Sequence, residues 1–192
     1  MRPEALLLLE GVALVRGGRL LFEGVSLGLA PGGAAVIRGP NGVGKSSLMR
    51  VAAGLLRASA GLVQRKAPLA LADEAAALDV RLTVAQALGF WARLDGARAE
   101  DGMEPMGLTR LADVPVRMLS TGQRKRATLA RVIASGAPLW LLDEPANGLD
   151  AEGQERLAAA MATHRGRGGA VLAATHQPIG LEDAEQLTLG SA

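Results

Sequence analysis

The sequence predicts an α/β protein with a mainly parallel sheet and a small helical insertion. After residue 34, short apolar segments alternate with segments of helical period, which is the pattern of strands joined by crossover helices. A continuous apolar run at 138–142 is typical of a parallel strand that is buried on both faces. The glycine-rich segment 39–44 lies between a short apolar strand and a helix. With 192 residues, the chain is long enough to form one compact domain.

Each element is predicted from its own local pattern. Short apolar runs bounded by Gly, Pro or polar residues predict strands at 5–15, 19–29, 34–38, 62–64, 69–72, 138–142, 170–174 and 186–189. Apolar residues at helical spacing predict helices at 45–55, 83–94, 121–134 and 151–164. Ser120 or Thr121 is placed to cap the third of these helices.

The middle of the chain, at about 79–118, differs in character from the rest. It combines one apolar-periodic helix with stretches that Gly and Pro interrupt. This pattern predicts a small helical subdomain inserted in the α/β core. We expect residues 1–192 to form a single domain that contains this insertion.

Composition and charge exclude several classes of protein. The 21 basic and 19 acidic side chains leave a net charge of +2, which argues against a protein built to grip nucleic acid. There are no cysteines, so disulfides, thiolate metal sites and Cys nucleophiles are excluded. No stretch approaches the roughly 20 apolar residues that span a bilayer, and the apolar run at 5–9 is short for a signal peptide. Any function at a membrane would therefore need another chain to provide the membrane part.

One segment matches the phosphate-binding pattern G-x-x-x-x-G-K-[ST] at every fixed position. It comprises Gly39, Pro40, Asn41, Gly42, Val43, Gly44, Lys45 and Ser46, and Ser47 follows it. Glycines let the backbone wrap a phosphate, and the N–H groups of the loop and of the following helix direct positive charge at it. Lys45 is expected to contact the β- and γ-phosphates, and the Ser46 hydroxyl to ligate Mg²⁺. A chance Lys-Ser pair after a glycine turn is the alternative.

Two carboxylates, Asp143 and Glu144, end the apolar run further along the chain. The carboxyl edge of a parallel sheet is where α/β proteins bind ligands. Asp143 is expected to hold Mg²⁺ through water, and Glu144 to orient and polarise the attacking water. Solvated acids at a strand end are the alternative, which the phosphate loop in the same chain disfavours.

Three further motifs resemble those of the ABC ATPases. The segment 119–123, LSTGQ, resembles the LSGGQ signature, with Thr121 in place of the first Gly. The segment 147–150, NGLD, resembles the D-loop, and His176, which follows an apolar strand, resembles the switch histidine. A simple helix cap and a structural histidine are the alternatives. The order and spacing of the motifs favour the resemblance, which covers nearly the whole chain.

The resemblance implies a fold and a mechanism. It implies a RecA-like P-loop NTPase core with an antiparallel β part and an inserted helical subdomain. It also implies that two copies close head to tail around ATP, so that the phosphate loop of one copy faces the signature of the other. The residues so implied in ATP contact are Ser120, Gly122, Gln123 and Asp150. Lys45, Glu144 and His176 are the implied catalytic set, with ATP and Mg²⁺ as ligands.

Two positions depart from the family pattern. Arg16 stands where many members have an aromatic residue that stacks on adenine. A guanidinium plane can also stack on a base, and a solvated turn arginine is the alternative. Phe22 is a poorer substitute, because we expect it to face the core. Glu74 stands at the place of the usual Q-loop glutamine, where its carboxylate can approach Mg²⁺ or be a plain surface acid.

The segments 88–91, 138–144 and 173–178 look like those of the ATP-binding subunits of bacterial cytochrome c biogenesis exporters. That resemblance implies a peripheral subunit on the cytoplasmic face of the inner membrane. Such a subunit joins a separate membrane subunit and energises haem handling for c-type cytochromes. It implies no haem site in this chain and no nucleic-acid partner. We expect Phe90 and Trp91 to contact the membrane subunit.

Three other functions remain open at this point. A different ABC transporter would use the same site residues, so the site cannot exclude it. A non-transport ABC ATPase acting on DNA or the ribosome usually carries a second cassette or basic arms, which this sequence lacks. A module that binds nucleotide without hydrolysis is disfavoured by the intact Glu144 and His176.

Overall fold

The structure, a computed structural model, describes residues 4–73 and 77–190. The strands are β1 Leu7–Arg16, β2 Arg19–Leu29, β3 Ala34–Arg38, β4 Ala60–Arg65, β5 Leu69–Ala72, β6 Leu139–Asp143, β7 Ala170–Ala174 and β8 Glu185–Thr188. The helices are α1 Lys45–Ala53, α2 Val84–Asp95, α3 Glu100–Met103, α4 Thr121–Ala134 and α5 Ala151–Gly166, with 3₁₀ turns at Thr109–Leu111 and Val116–Met118. The predicted α1 extends two residues too far, because Gly54 ends the helix in a left-handed conformation.

The described strands form two sheets, as the sequence and the family resemblance predict. One sheet has five strands in the order β5-β6-β7-β3-β8, and all of its neighbours pair in parallel. The other is a three-stranded antiparallel sheet in the order β2-β1-β4. β6 is an interior strand, but the middle of the parallel sheet is β7. The predicted α/β class is therefore confirmed, with a parallel sheet and an added antiparallel part.

Alternating side chains of the parallel strands build two apolar clusters, one on each face of the sheet. In β6, Leu139 and Leu141 belong to the cluster that includes α1 and the antiparallel sheet. Trp140 and Leu142 belong to the other cluster, which includes α2, α3, α4 and α5. This alternation follows from the two-residue period of a strand. The helical segment thus packs on the same core as one face of the sheet.

The helical segment is anchored where it leaves and rejoins the core. Thr83 caps α2 with a capping box, in which its hydroxyl accepts from the N–H of Gln86 and the Gln86 side chain accepts from the N–H of Thr83. Thr83 also forms an isolated antiparallel bridge with Pro115. The division of the chain into a core and a subdomain at 79–118 stays a prediction.

His164 is a structural histidine on α5. Its ring stacks on Trp140, with the ring centroids 3.8 Å apart and the planes 9° apart. Its Nε2 lies 3.2 Å from the carbonyl oxygen of Pro138. Burial lowers the pKa of His164 below its usual 6.5, although hydrogen bonds with the backbone of Ala170 and Pro138 act in the opposite direction.

We expect the free energy of unfolding to decrease as the pH falls below about 6.5, the ordinary pKa of an unfolded-chain histidine. Below that pH His164 binds a proton more readily in the unfolded chain than in the folded chain. Protonation therefore stabilises the unfolded state relative to the folded state. Thermal melts at pH 7.5 and pH 5.5 measure the effect. His164→Phe should reduce the difference between the two melts, whereas His176→Ala, which removes the other histidine, should retain it. Equal pH dependence in His164→Phe and the wild type would contradict this assignment.

Candidate nucleotide-binding site

A cavity of about 460 Å³ opens at the carboxyl edge of the parallel sheet. Its walls come from the phosphate loop, the end of β6 and the antiparallel sheet. The lining residues are Arg16, Leu21, Asn41, Gly42, Gly44, Lys45, Ser46, Ser47, Asp143 and Glu144. The fold thus brings together the phosphate loop and both carboxylates, which lie far apart in the sequence.

The strand order explains this convergence. The phosphate loop follows β3, Asp143 ends β6, and His176 follows β7. Because β6, β7 and β3 are parallel neighbours, their carboxyl ends meet at the same edge of the sheet. β7, the neighbour of β3, therefore brings His176 to the loop, and β6, the next strand along, brings the two carboxylates to the same edge.

The phosphate loop packs closely against β2. Gly44 caps α1 with a φ of 112°, a conformation that side-chain-bearing residues rarely adopt. A Cβ atom at this position would lie 3.1 Å from the Phe22 ring and 3.3 Å from Cβ of Leu21. The first N–H groups of α1 have no partner inside the helix, so they are available to an anion in the cavity.

Lys45 is buried and has all three of its N–H donors engaged. Its Nζ lies 2.8 Å from the carbonyl oxygen of Gly39 and 3.1 Å from that of Pro40. The third contact is with Nε2 of His176, at 2.9 Å. An ammonium group has three donors and no acceptor, so the loop and the histidine together satisfy it in the tautomer whose Nε2 is unprotonated.

His176 touches several of the candidate residues through one ring nitrogen. Besides Lys45, its Nε2 lies 3.0 Å from Oδ1 of Asn41 and 3.6 Å from Oε1 of Glu144. When Nε2 carries no proton, it accepts a hydrogen bond from the ammonium group of Lys45. In the other tautomer Nε2 carries the ring proton and donates it to Oδ1 of Asn41 or Oε1 of Glu144. The tautomer of His176 therefore decides which of these neighbours Nε2 bonds to.

Asp143 and Glu144 differ in their surroundings. The Asp143 side chain is buried, whereas that of Glu144 is 18% exposed and faces the cavity. Glu144 has a φ of 43°, which is uncommon for a residue with a side chain. Its N–H donates to the carbonyl oxygen of Ala174 at 2.8 Å, which secures this conformation to the end of β7. Strained backbone of this kind is typical of functional sites.

The oxygen donors at the cavity fit a magnesium ion. Ser46 offers a hydroxyl oxygen, and Asp143 and Glu144 offer carboxylate oxygens, which are the ligands that Mg²⁺ prefers. Within residues 4–73 and 77–190, no cluster of three or more His, Asp or Glu side chains could hold a metal alone. In proteins, Mg²⁺ usually takes most of its ligands from phosphate oxygens and water. Glu74, the other predicted metal ligand, lies outside the described residues.

The signature segment begins α4 and does not line this cavity. Ser120 caps the helix: its Oγ accepts from the N–H of Gln123 at 3.2 Å, and Gln123 Oε1 accepts from the N–H of Ser120 at 3.0 Å. Ser120, rather than Thr121, is the cap. A Cβ atom on Gly122 would lie 2.9 Å from the carbonyl oxygen of Gly148, so the signature packs directly on the D-loop.

Asp150 has a local structural partner. Its Oδ1 accepts from the N–H of Gly153 at 2.8 Å and so caps α5. It does not line the cavity either. The predicted ATP contacts of Asp150, Ser120, Gly122 and Gln123 therefore require a second chain, and they stay predictions.

The β1–β2 hairpin supplies one wall of the cavity, and the sequence predicts this wall only in part. Arg16 lines the cavity, as expected, and Phe22 is buried and packs on Gly44. Leu21 also lines the cavity and was not predicted. Its position beside Phe22 was the available signal, because neighbouring residues in a strand point to opposite faces.

The aromatic pair on α2 is divided between the interior and the surface. Trp91 is half-buried, and its Nε1 donates to the carbonyl oxygen of Ala77 at 2.5 Å. It lines a second cleft, of about 780 Å³, between the helical segment and the parallel sheet. Phe90 is 49% exposed, and Leu94 on the next turn is also exposed. Of the two aromatic residues, Phe90 is the one with a free surface.

The chain resembles known proteins over most of its length. The family model described as "ABC transporter" matches residues 22–147. The "Cytochrome c biogenesis ATP-binding export protein CcmA" of Sphingopyxis alaskensis is 58% identical over 96% of this chain and 97% of that protein. The protein of the same name from Novosphingobium aromaticivorans is 52% identical over 97% of this chain and 96% of that protein.

Solved structures agree with the fold. An "ATP binding subunit of ABC transporter" superposes with a TM-score of 0.86 at 20% identity, over 97% of this chain and 86% of the other. A "Putative ABC transporter (ATP-binding protein)" from Pyrococcus furiosus has a TM-score of 0.82 at 19% identity, over 95% and 96% of the two chains. At such identities the likeness concerns the fold alone. No described helix is both long and apolar enough to cross a bilayer.

Proposed function

Because this chain belongs to the ABC transporter ATP-binding family, we propose that it hydrolyses ATP to energise a transporter of cytochrome c biogenesis. The observation that carries the proposal is that Lys45 and Glu144 line one cavity together with the phosphate loop, and that His176 lies within 3.6 Å of both. The high identity to the CcmA proteins over nearly the full chain supports the cytochrome c pathway. Haem handling is the corresponding proposed task.

ATP binding is proposed to place the phosphates on the loop around Gly42 and on the N-terminus of α1. Lys45 would exchange some of its present contacts for the β- and γ-phosphate oxygens, since its three donors are already engaged. Ser46 and Asp143 are the proposed holders of Mg²⁺, Ser46 directly and Asp143 through water. When bound, the ion neutralises charge that develops on the phosphates.

Hydrolysis is proposed to use Glu144 as the group that orients and deprotonates the attacking water. Its partly exposed carboxylate faces the cavity at the carboxyl edge of β6, with His176 3.6 Å away. His176 would donate a hydrogen bond to the γ-phosphate once Lys45 moves to the phosphates. Both roles need a fixed geometry, which the anchored backbone of Glu144 provides.

A second copy is proposed to complete each site with its signature segment. The cap uses the acceptor atoms Ser120 Oγ and Gln123 Oε1. The Ser120 O–H and the Gln123 amide N–H groups remain available as donors. Donors at a helix N-terminus suit a phosphate group. The geometry of the cap therefore supports a head-to-tail dimer with ATP between the chains.

Two helices with the same kind of cap offer a matched test. Ser120→Ala and Thr83→Ala each remove the hydroxyl of a capping box, which typically costs about 1 kcal/mol of stability. We expect similar falls in melting temperature in both variants. Only Ser120→Ala should also lower ATP turnover, by roughly tenfold, because it removes a hydrogen bond to a charged phosphate. Equal turnover of the two variants would contradict a role for Ser120 in the site.

Arg16 and Leu21 are proposed to form the platform for the nucleotide base. Both line the cavity beside the phosphate loop, where a guanidinium plane and an apolar side chain can cover one base. We expect Arg16→Ala to weaken ATP binding about five- to tenfold, which corresponds to roughly 1 kcal/mol of stacking, and Arg16→Tyr to restore it. Titration with a fluorescent ATP analogue measures the change. Arg19→Ala, in the same hairpin, is the control, and equal affinities of wild type and Arg16→Ala would overturn the platform.

The membrane subunit is proposed to contact the exposed side of α2 around Phe90 and Leu94. Their exposure as a pair on one helix face supports an apolar contact. The chain is then a peripheral subunit on the cytoplasmic face of the inner membrane. Phe90→Ala should reduce co-purification of the membrane subunit, whereas Met118→Ala, another exposed apolar residue, is the control. Unchanged co-purification after Phe90→Ala would count against this contact.

A further inference from the structure

We propose that a hydrogen bond between Gln177 and Asn147 is a clamp that positions His176 against Glu144, an inference that rests on the proposed function. Nε2 of Gln177 donates to Oδ1 of Asn147 at 3.1 Å. Gln177 directly follows the candidate switch histidine, and Asn147 lies three residues after the candidate base. The bond therefore joins the loop that follows β7 to the loop that follows β6.

The loop after β7 is held on both sides of His176. Thr175 is fully buried, and its N–H donates to the carbonyl oxygen of Ile37 at 3.3 Å. Its hydroxyl accepts from the N–H of Gln177 at 3.1 Å. The Gln177 side chain then reaches across to Asn147. The backbone of His176 is thus fixed to the sheet at one end and to the neighbouring loop at the other.

The loop after β6 completes a ring of hydrogen bonds around Glu144 and His176. The N–H of Asn147 donates to the carbonyl oxygen of Glu144 at 3.3 Å. The N–H of Glu144 donates to the carbonyl oxygen of Ala174, which ends β7. Glu144 is therefore bonded directly to Ala174, before His176, and is linked through Asn147 to Gln177, after His176. The 3.6 Å separation of Glu144 Oε1 and His176 Nε2 lies inside this ring of hydrogen bonds.

The histidine ring itself has little else to fix its tilt. Its side chain is 46% exposed. In the part of the chain that the structure describes, the polar contacts of the ring all pass through Nε2. A ring held at one atom depends on the position of its backbone for its orientation. Thr175 fixes that backbone on one side, Arg38 Nη1 reaches the carbonyl oxygen of His176 at 3.5 Å, and the Gln177–Asn147 bond is the contact that links it to the loop carrying Glu144.

Gln177 and Asn147 are positioning residues rather than catalytic ones. Neither lines the nucleotide cavity, and neither contacts Lys45 or the phosphate loop among the described residues. Breaking the bond should leave ATP binding unchanged and slow the chemical step. A misplaced catalytic group lowers kcat, whereas the loss of a binding contact raises KM.

The test measures steady-state ATP hydrolysis, ATP affinity and melting temperature in the full-length chain. Gln177→Ala and Asn147→Ala should each lower kcat about tenfold, since small misplacements of a reacting group are costly, with KM unchanged. The double variant should be no worse than either single one, because both remove the same bond. The exchanged pair Asn147→Gln/Gln177→Asn, which keeps the combined side-chain length, should recover most of kcat.

The control is Gln154→Ala, which removes a glutamine that also reaches the D-loop region, through the carbonyl oxygen of Leu149 at 3.4 Å. It should keep the wild-type kcat. In a His176→Ala background, Gln177→Ala should cause no further loss, because the clamp acts through the histidine. A wild-type kcat in Gln177→Ala, or a full additional loss in the His176→Ala background, overturns the clamp. If wild type and Lys45→Ala hydrolyse ATP equally, the proposed function fails instead.

Discussion

Glu144→Gln should stop ATP turnover while leaving ATP binding intact. The amide keeps the size and shape of the carboxylate but cannot take a proton from water. We expect kcat to fall at least about a hundredfold, the usual contribution of a general base. Because the anchored backbone of Glu144 is unchanged, the affinity for ATP should stay that of the wild type. The bound, unhydrolysed nucleotide should also hold two chains together, which light scattering with ATP and Mg²⁺ can measure.

The matched control for this variant is Glu152→Gln. Glu152 is an exposed carboxylate in the first turn of α5 and pairs with Arg156 at 2.8 Å. Exposed ion pairs of this kind contribute little to stability, so the control should hydrolyse ATP normally. Turnover of Glu144→Gln at the rate of this control would show that another group activates the water.

Lys45→Ala should lose most of the affinity for ATP. The variant removes the ammonium group of Lys45 from the cavity wall. A hydrogen bond between charged groups is worth enough to weaken binding about ten- to a hundredfold. Turnover at low ATP should fall in parallel. Lys45 contacts the carbonyl groups of Gly39, which is half-buried, and Pro40, which is exposed, so we expect water to replace it there. The melting temperature should therefore change little.

Lys66→Ala is the control for the loss of a lysine. Lys66 forms a surface ion pair with Glu4 at 2.7 Å and directly follows β4 of the antiparallel sheet. Isothermal titration with ATP and Mg²⁺ compares the three proteins. An affinity of Lys45→Ala that equals that of Lys66→Ala would remove the basis of the proposed phosphate site.

The local parts of the site could be predicted from the sequence. The phosphate loop depends on a fixed spacing of Gly39, Gly44 and Lys45, and the helix cap on Ser120 and Gln123, which are neighbours in the chain. Such motifs need only local backbone geometry, so their pattern indicates their structure. The strands were also predictable, since their apolar runs have a clear period and clear ends.

The relations between distant segments could not be predicted in the same way. The contact of His176 with Lys45 and Asn41 depends on β7 lying beside β3, and the order of strands in a sheet is not written in their periodicity. Leu21 enters the cavity because the antiparallel sheet packs over the phosphate loop. The division of Phe90 and Trp91 between surface and interior likewise results from tertiary packing.

The saturated ammonium of Lys45 has a consequence for discrimination among anions. A bare positive charge would attract chloride, sulfate or free phosphate from the cell at little cost. Here an incoming anion must displace the carbonyl groups of Gly39 and Pro40 or the ring of His176 from Lys45. The net binding energy is then only the difference between the new contact with Lys45 and the contact that it replaces. A small anion supplies few replacement contacts, whereas a polyphosphate chain can engage the loop, the helix N-terminus and the lysine together. The hydrogen bonds that Lys45 already makes therefore weaken the binding of small anions more than the binding of a polyphosphate chain.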